Sequence, residues 1–299
     1  MPEMIHYTAR ITGLMRDIVA RVPALSFINL RRIVIFAREG GASTDGPFAT
    51  CHAVNQPPSD PTHYWWRDRR GRMVRRSEWF IVKSPVVSVD GERIDYLISF
   101  SLPRFCDQTL ARSHKGDLYP RRLSREPLVA KLDTIVHELY HIDPDQTGIR
   151  KLERADGGRS AHSHGPLFYR SVAKIVRQYL ASDPEPEMLD FLQYSSRELL
   201  ARYGEVRGTA FDTFPSFPQR YFEPLRQQPL PLDGDPTVEV VPLEVSRRPQ
   251  YYSERNLLTR RFLPISNGVR SRFLHESVGA RRARAGGFMQ KSRSDPFNR

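Results

Sequence analysis

His137-Glu138-Leu139-Tyr140-His141 sets two imidazoles four residues apart, with a carboxylate next to the first. On an α-helix, side chains four apart lie one turn apart on one face, so both rings can reach a single cation. Zinc–nitrogen bonds of about 2.0–2.1 Å fit that spacing. A bound divalent ion lowers the pKa of a coordinated water toward ~7, and a neighbouring carboxylate can take the released proton. The HExxH pattern therefore predicts a metal-dependent hydrolase. His137 and His141 are the metal ligands, Glu138 is the general base, and one Zn2+ per chain is the expected cofactor.

The elements around the motif must hold it. Residues of about 125–142 read as a helix, with Leu128, Val129, Leu132, Ile135, Val136 and Leu139 in one apolar arc. The two histidines fall nearly opposite, and the small residues Ala130 and Thr134 lie on their side of the helix. That pattern predicts one face in the core and the other on a cleft. A surface helix with solvated His and Glu is the competing reading, but it gives no reason for small residues there.

A catalytic zinc takes three protein ligands and keeps one position open. Pro144 and Thr147 stand where a metzincin needs Gly and His, so that class is excluded. Glu153 is the nearest downstream glutamate. Ala161-His162-Ser163-His164-Gly165-Pro166-Leu167-Phe168 offers a better third ligand. Pro166 suits a first helical turn. The helix expected over 165–181 has apolar positions Leu167, Phe168, Val172, Ile175, Val176 and Tyr179. A histidine at such a helix start is held rigidly, which favours His164, with His162 as competitor.

HELYH followed by HGPLF resembles the SprT-like metallopeptidase family, which includes the Spartan proteases. That family pairs HExxH on one helix with His-Gly-x-x-[Phe or Trp] at the start of the next. The likeness covers roughly 125–181, with weaker agreement from about 6 to 105. It implies a zincin-like core, His137, His141 and His164 as zinc ligands, Glu138 as catalytic base, and a protein or peptide substrate. There are departures. Many SprT-like proteins carry a cysteine zinc ribbon, and two cysteines cannot build one. The polar segment between His141 and His164 is also long, which suits a wall of the substrate cleft.

The expected fold is α+β: an amphipathic helix over 6–21, a small and mostly antiparallel sheet, then the two ligand helices and a third over 186–203 ending at Gly204. Arg32 to Phe36 reads as a buried strand. Tyr64–Arg67 and Met73–Arg75 read as a strand pair. Glu78–Ser88 and Arg93–Phe100 read as a second pair, joined across Asp90-Gly91. The expected division is a catalytic domain over 1–204, a Pro- and Phe-rich extended arm over 205–245, and a basic tail of little fixed structure over 246–299.

Mean hydropathy is −0.52, no apolar run suggests a membrane span, and no secretory signal is apparent, so a cytoplasmic protein is expected. Cys51 and Cys106 read as reduced and buried. The tail holds thirteen Lys and Arg against three acidic residues, so it carries most of the +12 net charge. A basic tail points to an acidic partner such as DNA, or to a solvated arm that binds nothing in particular. Two candidate nucleic-acid contacts follow: Trp65, Trp66, Arg69, Arg70 and Arg72, where rings could stack on bases, and Arg281, Arg282 and Arg284 in the tail. A surface hairpin with core tryptophans and solvated arginines competes with the first. The substrate class considered is protein associated with nucleic acid. The alternatives are a nucleic-acid-binding protein with a silent zincin core, and a zinc amidase acting on a non-peptide substrate.

Overall fold

The run Ile33-Val34-Ile35-Phe36-Ala37 has no polar alternation, as befits a strand covered on both faces. In a computed structural model of the chain it lies in β2 (Ile33–Glu39). Ile33, Ile35 and Ala37 enter the main core, while Val34 and Phe36 enter a second, smaller one. The structure describes residues 4–40, 46–55, 64–67, 70, 73–76, 79–81, 85–111, 113–146, 148–150, 152–153, 159–160, 164–213, 220–222, 237–240 and 251–262. The fold is α+β.

Two of the three-stranded sheets supply strands to the core. The first has the order β2, β4 (Tyr96–Leu102), β3 (Ala49–Ala53). β2 runs parallel to β4 from Ile33↔Tyr96 to Glu39↔Leu102, and β3 runs antiparallel to β4. This sheet is thus mixed. The long connection between Glu39 and Tyr96 lets the chain cross back and enter parallel. The Asp90-Gly91 turn does form, but it joins the short strands Val86–Val89 and Glu92–Arg93; the chain then leaves that pair to enter the central sheet. The second sheet has the order β1 (Ile5–His6), β5 (Val206–Phe211), β6 (Leu257–Arg261).

That second sheet cuts across the expected divisions at 204 and 246. β5 lies just beyond the first and pairs with the N-terminal β1, while β6 lies well beyond the second. Tyr252 and Phe262 are buried among core residues. The reason is local: the apolar residues of Tyr251–Phe262 are interleaved with arginines, so they stand out poorly in a basic tail.

The helices are α1 (Tyr7–Arg21), α2 (Pro127–Tyr140), α3 (Pro166–Ala181), α4 (Pro186–Leu189) and α5 (Ser196–Tyr203). The helix expected over 186–203 is broken. Ser195 and Glu198 form a capping box that starts α5 afresh. Gly204, at φ 69°, ends it as expected.

Instead of one buried face, α2 is enclosed almost all round. Lys131, Asp133, Thr134 and Glu138 are buried along with its apolar arc. Buried polar groups need partners. Lys131 Nζ donates to the carbonyls of Leu192 (2.8 Å) and Tyr194 (2.6 Å). The Thr134 hydroxyl donates to Gln108 Oε1 at 2.7 Å. Asp133 accepts from Lys115 and from the Tyr119 hydroxyl. α2 is therefore a pinned central rod, and its C-terminal end carries the site.

Candidate metal centre

His137 and Glu138 lie in the last turn of α2, and His141 caps it. His164 lies two residues before Pro166, the first residue of α3. α2 packs on α3, so the two helix ends bring three imidazoles together. Ring centroids are 4.7 Å apart for His137–His141, 5.2 Å for His137–His164 and 4.9 Å for His141–His164. Each histidine offers one nitrogen, and these nitrogens all lie within 4.8 Å of one another. Phe168, in the first turn of α3, packs against all three rings, at 4.7 Å from His137 and 5.0 Å from both His141 and His164. Leu167 does not join it as the pattern predicted. It is 66% exposed beside the site.

The donor set fits a cation. Nε2 of His141 and Nε2 of His164 are 3.1 Å apart. The edge of a tetrahedron with zinc-like bonds is about 3.3 Å. His137 Nδ1 is buried with no hydrogen-bond partner among the described residues. Burial, then the charges of His141 and Lys115, holds the His137 ring well below its ordinary pKa. It is therefore neutral at physiological pH, the state a ligand needs. The three histidines form a group compatible with a metal ion.

Glu138 is 4% exposed, and its carboxyl accepts a hydrogen bond from the backbone N–H of Cys51 on β3. Burial raises its pKa to about 8, against the opposing pull of Lys115, that N–H bond and Arg38. Burial and Glu138 together push the Cys51 thiol well above its usual range. That thiol stays protonated, so it is a poor metal ligand. Both cysteines are unpaired; Cys106 is buried and Cys51 partly so.

The flank of the centre holds residues that sequence reasoning did not single out. Lys115 lies on a 3-10 turn, His114–Leu118, that packs against α3. Its Nζ is 2.8 Å from Asp133 Oδ1 and 5.3 Å from the Tyr169 ring centroid. The Tyr169 ring is 6.2 Å from those of His137 and His164. His114 meets the same ring at 5.0 Å. No spacing signal links residues 114–119 to HExxH, because the pairing is made across the fold. Tyr140 packs between Phe168 and the Arg150 guanidinium, and Arg170 is exposed on α3.

The segment after His141 turns back at once. Ile142 bridges Ile149, Arg150 N–H donates to the His141 carbonyl, and Leu152–Glu153 pairs with Arg159–Ser160. Nothing is described of the Glu153 side chain, and His162 lies outside the described residues.

Trp65 and Trp66 lie on the strand Tyr64–Arg67, which pairs antiparallel with Met73–Arg76 as expected and also with Thr237–Val240. Arg70 is exposed near the turn. Arg69, Arg72, Arg281, Arg282 and Arg284 lie outside the described residues. No described helix is long and apolar enough to cross a membrane. Comparison with known proteins finds no matching family, no matching curated protein and no matching solved structure.

Proposed function

We propose that this chain is a zinc-dependent metallopeptidase with a zincin-like core. The observation that carries the reading is the convergence of His137, His141 and His164 next to a buried carboxyl, Glu138, on the same helix end. Three imidazole ligands favour zinc among the common divalent ions. When bound, the ion supplies a water acidified toward ~7 and polarises the scissile carbonyl. With a divalent charge beside it the Glu138 carboxyl would be ionised, and it would take the proton of the attacking water and deliver it to the leaving amine. The Cys51 N–H holds the carboxyl in place for both transfers. Three protein ligands would leave a fourth position for water or substrate on such an ion, and His164 is exposed, which opens the centre to solvent.

A peptide is the substrate class proposed, because a buried carboxyl beside an acidified water can pass a proton on to a leaving amine. The experiment is fragment analysis by mass spectrometry after zinc-loaded protein meets unfolded casein. Wild type is expected to cut it, chelator to stop the cutting, added zinc to restore it, and Glu138→Gln to lack it. Identical fragments from wild type and Glu138→Gln, or no fragments at all, would count against the proposal.

Contact with nucleic acid is the second part of the proposal. Pro166–Ala181 contains no acidic residue, and Arg170, Lys174 and Arg177 are exposed on it. Arg177 donates to the Leu118 carbonyl at 2.7 Å, joining this face to the segment bearing Arg121, Arg122 and Arg125. Those three arginines line a surface cleft with Glu126. A phosphate backbone suits such a surface. The part assigned to Arg281, Arg282 and Arg284, and to a cytoplasmic setting, rests on sequence alone.

A further inference from the structure

The hydrolysis described above needs a second electrophile, because negative charge builds on the carbonyl oxygen as water attacks. We propose that Lys115 is that catalytic residue: its ammonium contacts the oxygen of the scissile carbonyl as the charge develops. The inference rests on the hydrolytic reading of the centre and names a residue that the reading did not require.

The argument is geometric. Asp133 precedes His137 by four residues, so the two lie on one face of α2. Lys115 Nζ is bound to Asp133 Oδ1 at 2.8 Å, so the ammonium is anchored on the residue one helical turn before the first metal ligand. Asp133 is itself fixed, because Tyr119 donates to its other oxygen at 2.7 Å. The Tyr169 ring supports the ammonium at 5.3 Å and lies 6.2 Å from both His137 and His164. Lysine has three donors. Asp133 engages one, and the side chain is 18% exposed, so the group is sheltered yet reachable. Its charge acts on Glu138 and on His137, as expected of a neighbour in the same cleft. A lysine on a free stem pays an ordering cost when it binds. Here the ion pair and the ring have already ordered it, the condition under which such a donor is most effective. Tyr140 and Arg170 lack this placement: the first packs against Arg150, and the second is exposed on α3. Lys115 donates a hydrogen bond and transfers no proton; the proton of the attacking water passes to Glu138 and then to the leaving amine.

The test compares wild type, Lys115→Met and Lys115→Arg for zinc content, melting temperature and steady-state peptide hydrolysis. Inorganic phosphate is also titrated into the cobalt-substituted proteins and followed by visible absorption. Lys115→Met is expected to keep its metal and to lose about 10²–10³ in kcat, with KM changed by less than about threefold. Phosphate should bind it about tenfold more weakly, and Lys115→Arg should recover most of both losses. Hydrolysis and phosphate affinity equal to wild type in Lys115→Met would overturn the assignment. So would losses that Lys115→Arg does not repair and that track a lower melting temperature, since those belong to a structural partner of Asp133. Metal binding without hydrolysis in wild type would instead overturn the hydrolytic reading, and the phosphate titration would then decide by itself whether Lys115 contacts an oxyanion.

Discussion

The Phe168 ring meets the His137 ring edge-on, with centroids 4.7 Å apart and planes at 70°. Phe168 is buried and also touches His141, His164 and Tyr140, so it is at once a core residue and the spacer of the histidine cluster. Phe168→Ala is expected to cost about 3–5 kcal/mol of stability. It should weaken metal binding as well, because the imidazoles lose their common support. Phe168→Leu keeps most of the apolar volume and should be much milder on both counts. Denaturant unfolding beside a competitive metal titration checks this; full metal affinity in a stable Phe168→Ala would refute the spacer role.

Glu138→Gln removes the base and keeps the volume. Metal content should be unchanged, while hydrolysis falls by at least about 10². Retained turnover in this variant would show that proton transfer runs through another group.

Glu138 also makes the metal-free protein pH-dependent. Its folded pKa of about 8 lies above the unfolded value near 4.5. The folded state therefore binds more protons between those values, and stability is lost as pH rises through that window, by an amount on the order of a few kcal/mol. His52 acts oppositely and at lower pH: burial, then Arg38, depresses it to about 4, so its contribution is lost as pH falls. The difference in melting temperature between wild type and Glu138→Gln, measured in chelator, isolates the first effect. The gap in favour of Glu138→Gln should widen from pH 5 to pH 8, and a constant gap would contradict the buried carboxyl.

The basic face of α3 predicts a salt effect. Reversing Arg170 and Lys174 to Glu should weaken binding of a labelled single-stranded oligonucleotide. The slope of log affinity against log salt should fall by about 0.7 for each phosphate that is no longer neutralised. Fluorescence anisotropy at several salt concentrations measures both, and an unchanged slope would remove this face from the proposal.

Much of the site could be read from the chain because its parts are local. HExxH is a one-turn spacing, and Pro166 marks the helix start that places His164. The run Arg32–Phe36 likewise announced a buried strand, which begins at Ile33 and extends to Glu39. What escaped was long-range. Lys115 meets Asp133 across 18 residues, and Cys51 reaches Glu138 from another element; neither pairing leaves a periodicity. The surroundings of α2 escaped for the same reason, since Lys131, Asp133 and Thr134 find buried partners that lie far along the chain. β6 was hidden because its apolar residues are diluted by arginines, and its pairing with β5 spans 46 residues or more.

The central claim is that three histidines from two helix ends hold one metal ion. Elemental analysis of purified wild type and His164→Ala tests it most directly. The account predicts about one zinc per wild-type chain and its loss or marked weakening in His164→Ala, since removing one of three ligands leaves the pair on α2 to hold the ion alone. No metal in wild type after zinc is supplied, or equal metal in both proteins, would contradict it.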